Sequence, residues 1–269
     1  MCVIANPIET VHLANGLDLQ YRQSGDPRGI PVVLLHGVTD SLRCWQPFTD
    51  ALPRSLRAIA VTQRGHGDSS KPRSDYGSAA FAGDLAALMD ALGLTRAHIV
   101  AHSMSTWIAQ RFVRDYPGRA ESLTLIGGFV TLAGNAGVEE MMASIHGMGD
   151  TIEPAFAQAF QEATVSTPLG PAYLDMVVAE SLKVPAHVWR AAFGAMAEEK
   201  PESAWIACPA LLISCEKDEF FTEKDRRDVA ALFVDAQKIH YPLGHAPHWE
   251  QPVRVAKDIA AFIASNART

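Results

Sequence analysis

The stretch Ala97-His98-Ile99-Val100-Ala101-His102-Ser103-Met104-Ser105-Thr106-Trp107 constrains this chain more than any other. An apolar run of strand type meets a serine, and a helical pattern begins at once. This is the layout of a strand-to-helix elbow, in which the serine hydroxyl stands clear of the sheet beside the N-terminus of the new helix. Ala101 and Ser105, two residues before and two after, are small, as the crowding of strand and helix at such a turn requires. A plainer reading makes Ser103 the N-cap of an ordinary helix. The rest of the chain decides between the two.

Taken in order, the chain opens with Val11-His12-Leu13 and Leu17 to Tyr21, alternating apolar and polar about Asn15-Gly16, which predicts an antiparallel hairpin. Pro31 to Leu35 is apolar on both faces and reads as a buried central strand ending at His36-Gly37. A helix over 41–52, a strand over 56–61 and an amphipathic helix over 81–92, stopped by Gly93, lead to the elbow. The elbow helix runs to about Tyr116, and Ser122 to Ile126 is a further buried strand. From about Val130 to Trp205 only helical patterns and breakers appear, with prolines at 154, 168, 171, 185 and 201. Strand over 210–214, helix over 223–233, strand over 237–241 and helix over 253–264 then restore the rhythm.

This alternation predicts an α/β fold: a doubly wound, mostly parallel sheet whose functional residues sit at the carboxyl ends of its strands. The expected organisation is a core of residues 1–129 and 206–269 with a helical cap, 130–205, inserted in it.

Bulk properties narrow the partners. With 23 basic and 30 acidic residues interspersed, the net charge of −7 argues against nucleic acid and anionic membrane surfaces. Residues 1–7 lack a basic segment followed by an apolar stretch, so no secretory signal is expected, and no window is apolar enough to span a bilayer. Cys2, Cys44, Cys208 and Cys215 lack the spacing of a zinc site or a disulfide framework. The expectation is a cytoplasmic protein with no stable membrane anchor, as monomer or homodimer, needing no cofactor and no metal; a metal held by His36, His66 and His102 lacks helical ligand spacing.

Four strand ends carry chemistry: His36-Gly37-Val38, Ser103, Glu216-Lys217-Asp218, and Gly244-His245-Ala246-Pro247-His248-Trp249-Glu250. A serine hydroxyl is a poor nucleophile at neutral pH and needs a base, which needs a partner to fix its tautomer. Ser103, His245 and Asp218 can supply these three parts, with backbone N–H groups of Val38 and Met104 as an oxyanion hole. His248 competes for the role of base and Glu216 for that of acid. Phe129, Phe220, Phe221 and Met142 are expected to line an apolar substrate pocket together with His36 and His248. The elbow has no Arg or Lys neighbour, which favours small or medium neutral substrates.

Leu34-Leu35-His36-Gly37, Arg64-Gly65-His66-Gly67-Asp68-Ser69, His102-Ser103-Met104 and Gly244 to Glu250 resemble the corresponding segments of α/β-hydrolase fold enzymes of the esterase, lipase and C–C hydrolase type. The departures are Ala101 and Ser105 at the elbow, Gln63 where many relatives have aspartate, and Cys215 where glycine often precedes the acid. The resemblance places the acid three residues beyond Cys215, at Asp218, and the histidine directly after glycine, at His245. It implies a cofactor-free serine hydrolase acting on esters, thioesters or lactones. The same triad in relatives also serves C–C bond hydrolases and perhydrolases, and a hydrolase-fold binding protein without turnover is a further alternative. Dehalogenase and epoxide hydrolase readings would want aspartate where this chain has Ser103.

Overall fold

The structure is a computed structural model that describes residues 7–200 and 204–267. Cys2, most of the N-terminal stretch read for a signal, and Pro201 lie outside the described residues. Eight strands form one sheet: β1 (Glu9–His12), β2 (Asp18–Gly25), β3 (Ile30–Leu35), β4 (Leu56–Val61), β5 (Ala97–His102), β6 (Ala120–Ile126), β7 (Ala210–Cys215) and β8 (Ala236–Tyr241). Their order is β1-β2-β4-β3-β5-β6-β7-β8. β1 and β2 pair antiparallel and β2 joins β4 antiparallel; from β4 to β8 every pairing is parallel. The elbow strand β5 therefore lies in mid-sheet, between β3 and β6.

Successive strand residues point to opposite faces, and each face is covered. Val33, Leu35, Ile99, Ala101, Leu123 and Leu125 pack with α2 (Ser78–Ala91) and α3 (Met104–Asp115) through Leu85, Met89, Ala109 and Phe112. Val32, Leu34, Val100, Ile126, Leu211 and Ile213 pack on the other face with α1 (Gln46–Ala51) and α10 (Pro252–Asn266), through Phe48, Ile259 and Phe262. The helix predicted over 41–52 is divided: a 3-10 turn, Leu42–Trp45, precedes α1, and Pro47 at the start of α1 cannot continue the ladder of the preceding turn. Gly93 takes φ +67 just past α2, as predicted for its C-terminal stop.

Between β6 and β7 come α4 (Ala136–Gly147), α5 (Pro154–Glu162), α6 (Pro171–Leu182) and α7 (Ala186–Glu198), with no strand among the described residues of that segment. Their apolar faces join a third cluster, in which Ile145, Trp189, Phe193 and Met196 meet Val38, Met104, Phe129 and Phe221 from the strand ends. The insertion thus packs directly over the carboxyl edge of the sheet. α8 (Glu223–Ala231) follows β7, and α9 (Pro247–Glu250) is a single turn that begins two residues after His245. Elsewhere Arg64 is clamped on Asp84 and Asp68 on Lys183, which brace the 63–70 loop.

Candidate active site

Ser103 has φ 53 and ψ −119, a conformation that costs a non-glycine residue about 1–3 kcal/mol and persists only where the surroundings enforce it. They do so here. The Ser103 N–H donates to Ile126 O at 2.9 Å, tying the turn to β6, and Ser103 O accepts from Thr106 N and Thr106 Oγ1. The side chain of Ser103 caps none of the α3 N–H groups, so the N-cap reading fails and the hydroxyl is left toward the cavity above. Ala101 and Ser105 are both fully buried. Ser105 turns its hydroxyl to use, donating to His36 O and accepting from Gln63 Nε2.

Asp218, three residues beyond the end of β7, reaches His245, four beyond the end of β8: His245 Nδ1 donates to Asp218 Oδ2 at 2.8 Å, and both side chains are 3% exposed. The other oxygen, Oδ1, accepts from Phe220 N at 2.9 Å and Phe221 N at 3.3 Å. Burial pushes the Asp218 carboxyl up, but the His245 charge and these hydrogen bonds outweigh it and hold it below its ordinary value. An ionised, acceptor-only Asp218 fixes the His245 proton on Nδ1 and leaves Nε2 as the basic nitrogen. Glu216 is exposed and makes no such bond; its N–H pairs with Tyr241 O.

The histidine loop is held from three sides. A Cβ on Gly244 would lie 2.5 Å from Ser166 N and 2.7 Å from Val165 C, so only glycine passes beneath the α5–α6 connection. Glu250 accepts from Gly244 N and Ser166 Oγ, and Ala246 N donates to Thr164 O. Below the ring, a Cβ on Gly127 would lie 2.5 Å from His245 Cε1.

Ser103 and His245 line one cavity of about 270 Å³, together with Phe129, Phe220 and Phe221, named from the sequence as pocket residues, with Val38, and with Met141, Phe160 and Met196 of the helices between β6 and β7. Three expected pocket residues are elsewhere. His36 is fully buried under the loop, its Nδ1 donating to Gly37 O and its Nε2 accepting from Gln63 N, so it shapes the loop from behind. Met142 is displaced from the wall by its neighbour Met141, since one residue turns a helix by about 100°. His248, on α9, is fully buried and stacks on Trp45 at 4.4 Å, away from the cavity and from Asp218, so it does not serve as the base. Met104 is buried behind the elbow, where its backbone begins α3.

Asp40 and Gln161, for which the sequence suggests no role, line the cavity, as does His102, which it offers only as a weak metal ligand and as part of the elbow segment. His102 could have been suspected from its place beside Ser103; Gln161 gives no sequence signal, being one polar residue on an inserted helix. Among the described residues no group of three His, Cys, Asp or Glu side chains is arranged to hold a metal ion, and no helix is long and apolar enough to cross a membrane.

A mid-sheet serine elbow, followed along the chain by an acid after β7 and a histidine after β8, has the order of groups that the α/β-hydrolase fold presents at its strand ends. The model of the alpha/beta hydrolase family matches residues 32–258, and the chain belongs to that family. An uncharacterized protein of Mycobacterium tuberculosis is 31% identical over 123 residues, 46% of this chain and 36% of that protein, so the match spans about a third of that relative's length. A non-heme chloroperoxidase of Streptomyces lividans is 34% identical over 119 residues, 44% of this chain and 43% of that one. Among solved structures, the esterase RhEst1 from Rhodococcus is 26% identical with a TM-score of 0.81, covering 97% of this chain and 99% of that one.

Proposed function

We propose that the chain is a serine hydrolase that cleaves small or medium apolar carboxylic esters, thioesters or lactones through an acyl-enzyme. The observation that carries this reading is the buried Asp218–His245 hydrogen bond opening onto the same apolar cavity as the strained Ser103. The likeness to an esterase over 97% of this chain supports it. In this reading Ser103 Oγ attacks the carbonyl carbon while its proton passes to His245 Nε2, and Asp218 steadies the imidazolium. The carbonyl oxygen takes the negative charge opposite the N–H groups of Val38 and Met104, each worth about 3 kcal/mol of barrier. Collapse expels the alcohol or thiol with the His245 proton; water then repeats the sequence on the acyl-enzyme and restores Ser103.

The segment 130–205 acts as a cap over Ser103 on a core of 1–129 and 206–269, and the ligand is a small apolar molecule. The similarity to a chloroperoxidase favours one second reading, in which hydrogen peroxide replaces water against the acyl-enzyme. Hydrolysis of p-nitrophenyl butanoate by wild type and Ser103→Ala tests the proposal. Loss of about 1000-fold or more in kcat with Ser103 is expected; a Ser103→Ala variant as active as wild type would overturn it.

A further inference from the structure

One wall of the cavity carries polar side chains among an otherwise largely apolar lining. Asp40 is 3% exposed, His102 2% and Gln161 fully buried, and all three line the cavity. Gln161 Nε2 donates to Ser181 Oγ at 2.6 Å and lies 3.1 Å from Asp40 Oδ1 and 3.2 Å from Thr39 Oγ1. Ser181 Oγ gives its one proton to Thr39 Oγ1 and so can only accept from Gln161, which sets the amide this way round. Gln161 Oε1 is then left buried with no partner. His102 Nε2 donates to His245 O at 3.2 Å, so its Nδ1 is an acceptor, and it too is buried without a partner. Asp40 Oδ2 stands 4.0 Å from that Nδ1.

Leaving a buried polar atom unpaired costs about 1–3 kcal/mol, so two such acceptors on residues that line the cavity, beside a carboxyl, favour a ligand that brings a donor. The wall adjoins the reacting centre, because His102 precedes Ser103 and Asp40 lies two residues beyond Val38. The loop between is held rigidly: Thr39 takes φ 72, unusual for a β-branched residue, and its hydroxyl is gripped by Gln161 and Ser181.

We infer that Asp40, His102 and Gln161 form a subsite for a hydroxyl group carried by the acyl part of the substrate, close to the attacked carbonyl. This deepens the hydrolase reading, on which it rests, by naming the substrate class as hydroxy-substituted esters or lactones. A hydroxyl suits the wall because it donates and accepts: it can give its proton to Gln161 Oε1 or His102 Nδ1 and pair with Asp40 in either protonation state. Burial raises the Asp40 carboxyl to about 7, against the lowering influence of Gln161, His245 and the Gly37 backbone, so both states are reached near neutrality. An ammonium group fits less well, since His245 becomes cationic in the attack and would repel it. A keto or ether oxygen supplies no donor.

The test compares p-nitrophenyl butanoate with its 2-hydroxy, 3-hydroxy and corresponding methoxy derivatives, in wild type, Gln161→Met and Asp40→Leu, each checked for a native melting transition. One hydroxy ester is expected to exceed both butanoate and its methoxy partner by about 10-fold in kcat/KM, the size of one or two net hydrogen bonds. In either variant the ratio is expected to fall below about 3-fold. Binding of methyl 2-hydroxybutanoate, methyl 3-hydroxybutanoate and methyl butanoate to Ser103→Ala, followed by calorimetry, reads the same preference without turnover. Hydrolysis of butanoate with no hydroxyl preference would overturn the subsite and leave the hydrolase reading standing. Absence of all hydrolysis would count against the hydrolase, and the calorimetric ratio would then still decide the subsite: a preference supports it, equal binding overturns it.

Discussion

Gln63 Nε2 donates to Ser105 Oγ at 2.9 Å, joining two residues that each depart from the pattern of related hydrolases. Gln63 also donates through Nε2 to His36 O and through its backbone to His36 Nε2, while Ser105 donates to the same carbonyl. The serine at an elbow position usually held by glycine is therefore paired with the amide that replaces an aspartate. Ser105→Ala is expected to destabilise by about 1 kcal/mol, the net value of the hydrogen bonds lost. The pair Ser105→Ala with Gln63→Leu should show a coupling of about 1 kcal/mol in urea unfolding. Additive effects would mean that the two substitutions are independent.

His248 gives the fold an acid limit. It is fully buried between Trp45 and His102, with neither ring nitrogen hydrogen-bonded, and burial followed by the nearby His245 lowers it to about 3. The folded protein excludes a proton that the unfolded chain binds below about 6.5, so the stability is complete above that value and is lost as pH falls toward 3. His248→Phe keeps the stacking and removes the proton site. Its urea-unfolding free energy should fall less steeply between pH 6.5 and 4 than that of wild type; parallel curves would contradict this account.

Asp40 acts in the opposite sense. Its folded-state value near 7 lies above that of the unfolded chain, so the folded protein holds a proton that the unfolded chain releases from about pH 4 upward. The stability this proton confers is full below about 4 and is lost by pH 7 to 8, with about 4 kcal/mol as an upper figure. Asp40→Asn should accordingly be more favourable at pH 8 than at pH 4.5, by up to a few kcal/mol. An equal effect at both values would show that Asp40 does not titrate in that window.

Gly127 and His245 are matched by contact. Gly127→Ala forces a left-handed backbone at φ 59 on a Cβ that would meet the His245 ring at 2.5 Å. In the proposed mechanism His245 is the general base, and displacing such a group by about 1 Å costs on the order of 100-fold, so kcat on p-nitrophenyl butanoate should drop by about that factor. Circular dichroism should show the fold retained; unaltered kcat would show that the ring has room to move.

The strands were legible because runs such as Val32 to Leu35 and Ile99 to Ala101 are buried on both faces and have no other place to go. The expected triad residues stand at strand ends, where sheet topology brings distant segments together. The inserted helices were not separable: Pro154 and Pro171, read as breakers, open α5 and α6, since proline suits the first helical turn as well as it ends a helix. Met141 rather than Met142 faces the cavity for a related reason, because helical phase is lost where no boundary can be fixed. The Asp40–Gln161 contact joins residues 121 apart, and no local pattern announces it.

Treatment with a serine-directed fluorophosphonate followed by peptide mapping in a mass spectrometer tests the central claim most directly. One adduct per chain, on Ser103 and lost in His245→Ala, is the predicted result; an adduct on another residue, or none on a folded sample that hydrolyses esters, would contradict it.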